Sequence, residues 1–289
     1  MFLAGMDGIL LALTSAFFYG SGDFLGGQAT RRLNAYQVLA LASLSGFVLM
    51  AGLAWYFREP LPSTESLFWA GIAGICGSLG LALLFYGLAT RGSAIVSPVS
   101  GVVGALLPVL YTLLKSGLPE TTQILGFAVA APGIWLVTAS SSADRRTARS
   151  GLGLGVLAGI GFGLFFILIA RVEDGALFSP LAFLKIVACF LSLGMLLAWR
   201  RLRGVPIPGL RSNPKSALVA LLSGLLDPTA NAFYLAATRL TRLDVVVVIT
   251  SLYPAVTVLL ARLVTKEQIS WKQWVGISLC LAAIALISI

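Results

Sequence analysis

The chain has 289 residues, of which 58% are hydrophobic and only 11% charged, with a mean hydropathy of +0.96. A soluble domain carries about 25% charged residues, so this composition excludes an ordinary water-facing surface and makes lipid the natural solvent. The net charge of +9 comes from 20 Lys and Arg against 11 Asp and Glu; these basic residues fall in short loops between apolar runs, which fits topology setting and anionic lipid rather than nucleic acid.

A bilayer core about 30 Å thick needs roughly 20 apolar residues per helix. Ten stretches qualify in chain order: 8–29, 35–57, 67–89, 94–115, 121–140, 151–171, 179–199, 215–238, 244–265 and 271–289. The start of the chain lacks the basic segment of a cleaved signal peptide, so the first stretch is expected to be a permanent span. Most connections are very short. Two are longer: a polar one from Ser140 to Ser150, and a basic, Pro-rich one from Arg200 to Pro214. The expected fold is an all-α membrane protein of ten transmembrane helices. It divides into a five-helix unit over 1–142, a linker over 143–149 and a second five-helix unit over 150–289.

The two units look like copies. Phe85-Tyr86 and Ala89-Thr90-Arg91 recur as Phe233-Tyr234 and Ala237-Thr238-Arg239, an offset of 148. Tyr19-Gly20 lines up with Phe162-Gly163 at 143, and Asn34 to Ala40 lies over Phe178 to Leu184 at 144. Gln123 to Gly126 recurs as Gln273 to Gly276 at 150. With five helices per copy, an odd number, the second copy enters the membrane upside down, which makes an inverted repeat. Loops on the side of the first connection hold 14 Lys and Arg, against 5 on the other. The positive-inside rule therefore predicts both termini outside the cytoplasm.

Glycine is patterned as well as abundant. Gly71, Gly74, Gly77 and Gly80 are spaced by three; Gly155, Gly159 and Gly163, like Gly22 and Gly26, are spaced by four. Such stripes predict close helix packing first and sliding surfaces second. Trp55, Trp69, Trp199 and Trp271 fall near predicted helix ends, as interfacial anchors do, while Trp135 lies deeper.

Ionisable groups inside a bilayer are costly and are functional candidates by default. Asp23 lies deep in the first span, Asp227 in the middle of the eighth, and Lys185 about two turns into the seventh. Asp23 and Asp227 are the candidates for coupling to protons. The competing reading pairs Asp227 with Lys185 and makes Asp23 a polar contact between helices. Arg171, Lys115 and Asp244 stand at helix ends, where they snorkel or cap. Prolines mark four candidate hinges: Pro98 and Pro108 in the fourth span, Pro228 in the eighth and Pro254 in the ninth. Pro228 removes an N–H and should kink or break its helix. Pro108 and Pro254 are about one repeat apart, and paired interruptions of this kind point to a transport site. Around these breaks lie Ser97, Ser100, Tyr111, Thr112, Thr250, Ser251 and Tyr253. Together with Tyr19, Tyr86, Asp227, Asn231 and Tyr234 they give the expected substrate contacts: a mostly neutral, aromatic cavity for an amphiphilic solute.

Cys76, Cys189 and Cys280 all fall in apolar runs without metal-ligand spacing, and histidine is absent. No metal site, cofactor or catalytic constellation is expected, and neither is an enzyme.

Each unit ends on a similar pattern. In the first it is Leu107-Pro108-Val109-Leu110, then Gly117-Leu118-Pro119-Glu120, then Gln123 and Gly126. In the second it is Tyr253-Pro254-Ala255-Val256, then Thr265-Lys266-Glu267, then Gln273 and Gly276. These runs resemble the EamA-type transporters of the drug/metabolite transporter superfamily. The resemblance covers nearly the whole chain and is closest to bacterial exporters of amino acids and aromatic metabolites. It implies a secondary transporter in the inner membrane, with a central cavity lined mainly by helices 1, 3, 4, 6, 8 and 9. It also implies cytoplasmic termini for many members, against the charge count. The expected activity is export of neutral or aromatic amino acids by alternating access. The alternatives are proton-coupled export of lipophilic cations and a non-transporting membrane scaffold. A small-molecule substrate and the bilayer are the expected partners, and a monomer suffices because each repeat supplies a partner for the other.

Overall fold

A computed structural model describes residues 2–91, 93–116, 121–139, 145–173, 175–204, 207–241 and 243–287. Among them are eleven helices and no strand: α1 (Phe2–Thr30), α2 (Ala35–Tyr56), α3 (Thr64–Arg91), α4 (Ser93–Ser116), α5 (Thr121–Ala139), α6 (Arg145–Ile169), α7 (Phe178–Arg203), α8 (Pro214–Leu240), α9 (Leu243–Thr250), α10 (Tyr253–Val264) and α11 (Trp271–Ile287). Six of them (α1, α2, α3, α6, α7 and α8) are long and apolar enough to cross a bilayer, and shorter apolar segments run over Ile95–Pro108, Tyr253–Val264 and Trp271–Leu286. Residues 140–144, which separate α5 from α6, and the Gly117 to Glu120 run lie outside the described residues, while Arg145 to Arg149 of the expected linker belong to α6.

Helices pack in pairs that exchange on swapping the two halves. α1 lies along α8, and α6 lies along α3; α4 lies along α6, and α10 with α9 along α1. α2 meets its counterpart α7, and α5 meets its counterpart α11. The loops repeat the pattern. Glu59, between α2 and α3, accepts the N–H groups of Leu177 (2.9 Å), Phe178 and Ser179 (both 2.8 Å), and the Ser179 hydroxyl at 3.1 Å. A carboxylate there satisfies the orphan donors of the α7 N-terminus and complements its dipole. At the opposite end, Asn34 and Gln37 form a capping box on α2, and Gln37 donates to the Pro208 carbonyl (2.9 Å) between α7 and α8. Arg171 does the work expected of a helix-end cation: its guanidinium lies 4.6 Å over the Trp69 ring and donates to the Tyr111 hydroxyl.

The prolines behave differently from the sequence expectation. The ninth span is broken at Ser251 and Leu252, giving α9 and α10, with Pro254 in the first turn of α10. Proline is tolerated there because that N–H has no intrahelical partner anyway. α4 runs unbroken through Pro98 and Pro108, and α8 through Pro228. So the paired interruption is a break in the second half only. The carbonyls that two of these prolines leave unbonded are those of Gly104 and Gly224, four residues back. In each case a glycine of the neighbouring helix lies against that oxygen. A Cβ on Gly163 of α6 would stand 3.2 Å from Gly104 O, and one on Gly46 of α2 only 2.8 Å from Gly224 O. At these points the neighbouring backbone rather than lipid covers the carbonyl, and irregular backbone hydrogen bonding at membrane depth is tolerated where it is buried in protein.

The glycine stripes are packing faces. Gly155, Gly159 and Gly163 receive Val99, Val103 and Leu107 of α4, while Gly74, Gly77 and Gly80 receive Leu184 of α7 and Phe165 and Phe162 of α6.

Candidate functional site

One cavity lies at the centre of the bundle, where α1, α2, α3, α6, α7, α8 and α10 converge. Its polar wall comes from α1, α7 and α8: Tyr19, Asp23, Lys185, Asp227 and Asn231. The facing wall comes from α3 and α6: Gly74, Gly77, Ser78 and Leu81 opposite Phe162, Phe165 and Phe166. Leu39 and Ser43 of α2 and Tyr253 of α10 complete it. Room for the centres of water molecules is about 40 Å³, space for only a few waters. In this state a larger solute enters only if the helices part.

The polar wall is held by a chain of contacts. Lys185 and Asp227 form a buried ion pair across α7 and α8. Asn231, one turn beyond, donates to the same Asp227 oxygen at 3.5 Å and accepts the Tyr19 hydroxyl proton, tying α8 to α1. Two hydroxyl-to-carbonyl bonds of 2.8 Å, Ser15 to Ala230 and Ser223 to Gly22, fix the same interface. Asp23 is different. It is 5% exposed, lines the cavity, and has no hydrogen bond or ion pair among the described residues. A buried carboxylate without a partner is expensive, and the cavity is where its partner must come from.

The aromatic wall is built by edge-on stacking. Phe165 and Phe166 meet with ring centroids 5.4 Å apart, Phe166 meets Tyr19 at 6.1 Å, and Phe162 meets Tyr253 at 6.2 Å. Behind it, Tyr234 packs on Phe166 at 4.9 Å.

Of the residues expected from sequence to touch substrate, Tyr19, Asp227, Asn231 and Tyr253 line the cavity, as does the coupling candidate Asp23. Ser100 stands behind Tyr253, hydroxyl to hydroxyl at 2.9 Å, and positions it. Ser97, Ser251 and Tyr234 are buried away from the cavity, and their hydroxyls have no hydrogen-bond partner among the described residues. Tyr86, the repeat counterpart of Tyr234, is 46% exposed and does not line the cavity. Trp135, the deep tryptophan, is exposed on the surface of the bundle. Side chains of Thr112, Lys115 and Asp244 fall outside the described residues.

The pairing of Asp227 with Lys185 follows the structural alternative read from the sequence, whereas Asp23 lacks the interhelical contact expected of it. Sequence reasoning left out Lys185, Phe162, Phe165, Phe166 and Ser78 as lining residues. A signal existed for two of them: at the offset of 143, Phe162 and Phe166 are the counterparts of Tyr19 and Asp23. The helices also differ from the expected set. α2 and α7 contribute, no described residue of α4 does, and the ninth span contributes only through Tyr253 of α10.

With this geometry in hand, comparison with known proteins decides the family. The EamA-like transporter family matches the chain twice, over residues 6–139 and 149–289. The chain belongs to the EamA-like transporter family. It is therefore a multi-pass helical membrane transporter, and family membership is consistent with the drug/metabolite transporter superfamily. Among curated proteins no match is found. One solved crystal structure, whose description names no activity, aligns over 98% of both chains at 16% identity with a TM-score of 0.66. That likeness shows that this EamA-like chain shares its fold with the solved structure and says nothing of substrate.

Proposed function

We propose that this EamA-like protein is a secondary transporter that exports small amphiphilic metabolites across the bacterial inner membrane by alternating access. The observation that carries this reading is the central cavity, whose lining combines the unpartnered Asp23 carboxylate with Phe162, Phe165 and Phe166. Such a site suits a solute with a protonated amine at one end and an apolar body at the other. Neutral and aromatic amino acids meet that description and are the first substrates to test. Ten spans arranged as two inverted five-helix repeats, with both termini outside, are the accompanying topology. Its support is the exchange symmetry of the helix pairs and the excess of Lys and Arg on one side.

A second reading, proton-coupled export of lipophilic cations, is favoured by one specific feature. Lys185 is already committed to Asp227, so no described lining cation is free to receive a substrate carboxylate. Efflux from proteoliposomes loaded with a panel of radiolabelled amino acids and lipophilic amines, with and without a proton gradient, separates the two. Saturable movement of amino acids supports the first reading, and movement of amines alone the second. Movement of neither class would leave the scaffold alternative standing.

A further inference from the structure

Three charged side chains among the described residues line the central cavity: Asp23, Asp227 and Lys185. With both carboxylates ionised, as when a cation sits beside Asp23, they and the one ammonium leave one net negative charge. We propose that the Lys185–Asp227 pair sets the charge a substrate must carry, so that the cavity selects amphiphilic amines with a single positive charge over zwitterions and dications. This rests on the transport reading above and decides within it for the amines and against the zwitterionic amino acids.

The cavity has room for only a few waters, so charge inside it is poorly screened and must be matched by charge. Asp23 on α1 has no partner among the described residues, and Asp227 on α8 has one. The paired group offers little to an incoming ion, because separating it from Lys185 exposes two buried charges. One carboxylate remains for one ammonium. A zwitterion brings a second negative charge into a cavity whose cation is taken, and a dication brings a positive charge with no free counterpart. Lys185 thus acts as a fixed internal cation that withdraws one of the two carboxylates from recognition. The rest of the lining is apolar or neutral: the phenylalanines of α6, the glycines of α3, Ser43 and Ser78. It fixes the apolar body without adding charge preference.

The test uses the full chain in proteoliposomes and three probes with the same aromatic ring. They are phenylalanine, phenethylamine and 4-(aminomethyl)phenethylamine, with net charges near neutral pH of about zero, one and two. The wild-type protein is expected to move phenethylamine about tenfold faster than either of the others. Lys185→Met frees Asp227 and is expected to shift preference toward the dication. Asp227→Asn frees Lys185 and shifts it toward phenylalanine. These two variants leave a charge unpaired, so Asp23→Asn is the safeguard. It removes a carboxylate that holds no other element, keeps the ion pair intact, and is expected to abolish the preference for phenethylamine. Wild-type protein that moves phenylalanine as well as phenethylamine would overturn the proposal while leaving transport established. So would an Asp23→Asn variant that keeps the preference, or folded single variants that do not shift. If none of the probes moves, the transport reading itself fails for aromatic amines and amino acids.

Discussion

The two walls of the central cavity descend from the same sequence and have opposite chemistry. On α1, Tyr19 and Asp23 face the cavity; at the equivalent positions of α6 stand Phe162 and Phe166. On α8, Asp227 and Asn231 face it; their counterparts at the offset of 148 on α3 are Leu79, which is exposed on the outside of the bundle, and Leu83. Glycines keep the helices at comparable close approach on both sides, Gly224 against α2 and Gly80 against α6. What differs is which helices carry charge: α1 of the first copy with α7 and α8 of the second, but neither α3 nor α6 at the cavity. A duplicated frame supplies two equivalent walls and hence a site between them, while divergence of a few inward-facing residues gives that site a polar end and an apolar end. An amphiphile is the solute such a site recognises.

The comparison can be broken most severely through the frame. A side chain on Gly224 would collide with the Ala42 backbone and the Ser45 hydroxyl. Because backbone atoms cannot swing aside, Gly224→Leu is expected to cost about 3 kcal/mol or more and to collapse the α2–α8 contact, seen as loss of a monodisperse peak in detergent. Gly52 on the same α2 has nothing within 4 Å of where a Cβ would be, so Gly52→Ala should keep or slightly raise thermal stability, as Ala suits a helix interior better than Gly, and serves as the control.

Next comes the polar wall. Asp23→Asn removes the unpartnered carboxylate of the cavity and is expected to lower transport of an amine substrate by roughly 10- to 100-fold, the value of one charge-assisted contact. Fold should persist, because no described group depends on that carboxylate; the thermal midpoint of the purified variant checks this alongside the rate.

The smallest effect belongs to the aromatic wall. Phe166 stacks on Phe165, Tyr19 and Tyr234, which leaves only part of its ring to the cavity. Phe166→Leu should weaken aromatic substrates by roughly 2- to 10-fold, the range of a single aromatic pair. Aliphatic amines of similar size should be less affected. Competition assays against a common labelled amine measure the difference.

Much of this was legible from sequence, for reasons that can be traced. Apolar runs of span length dictate helices wherever lipid is the solvent, and the recurrence of Phe85-Tyr86 as Phe233-Tyr234 shows the duplication directly. Asp23 and Asp227 stood out because a charge at that depth is rare. The prolines were harder. Whether Pro228 breaks α8 depends on what lies against the Gly224 carbonyl, and that is Gly46, 178 residues earlier in the chain. Tyr86 and Tyr234 occupy equivalent positions, yet one faces outward and the other lies in the core, because helix rotation within each half is set by neighbours that the pattern does not name. Lys185 was visible as a lone cation. Its role as the partner of a cavity carboxylate needed the approach of α7 to α8.

The most direct test of the central claim, that this cavity is the translocation site, is the accessibility of a thiol placed in it. Ser78 lines the cavity on α3 and is buried, and Ser78→Cys is nearly isosteric. In a background where Cys76, Cys189 and Cys280 are replaced by Ala, a small membrane-impermeant cationic thiol reagent would be added to oriented vesicles from one side and then from the other. The account predicts labelling from both sides, as helices part toward each in turn, and protection by a transported amine. A thiol that stays unreactive from either side, or reacts without protection by substrate, would contradict it.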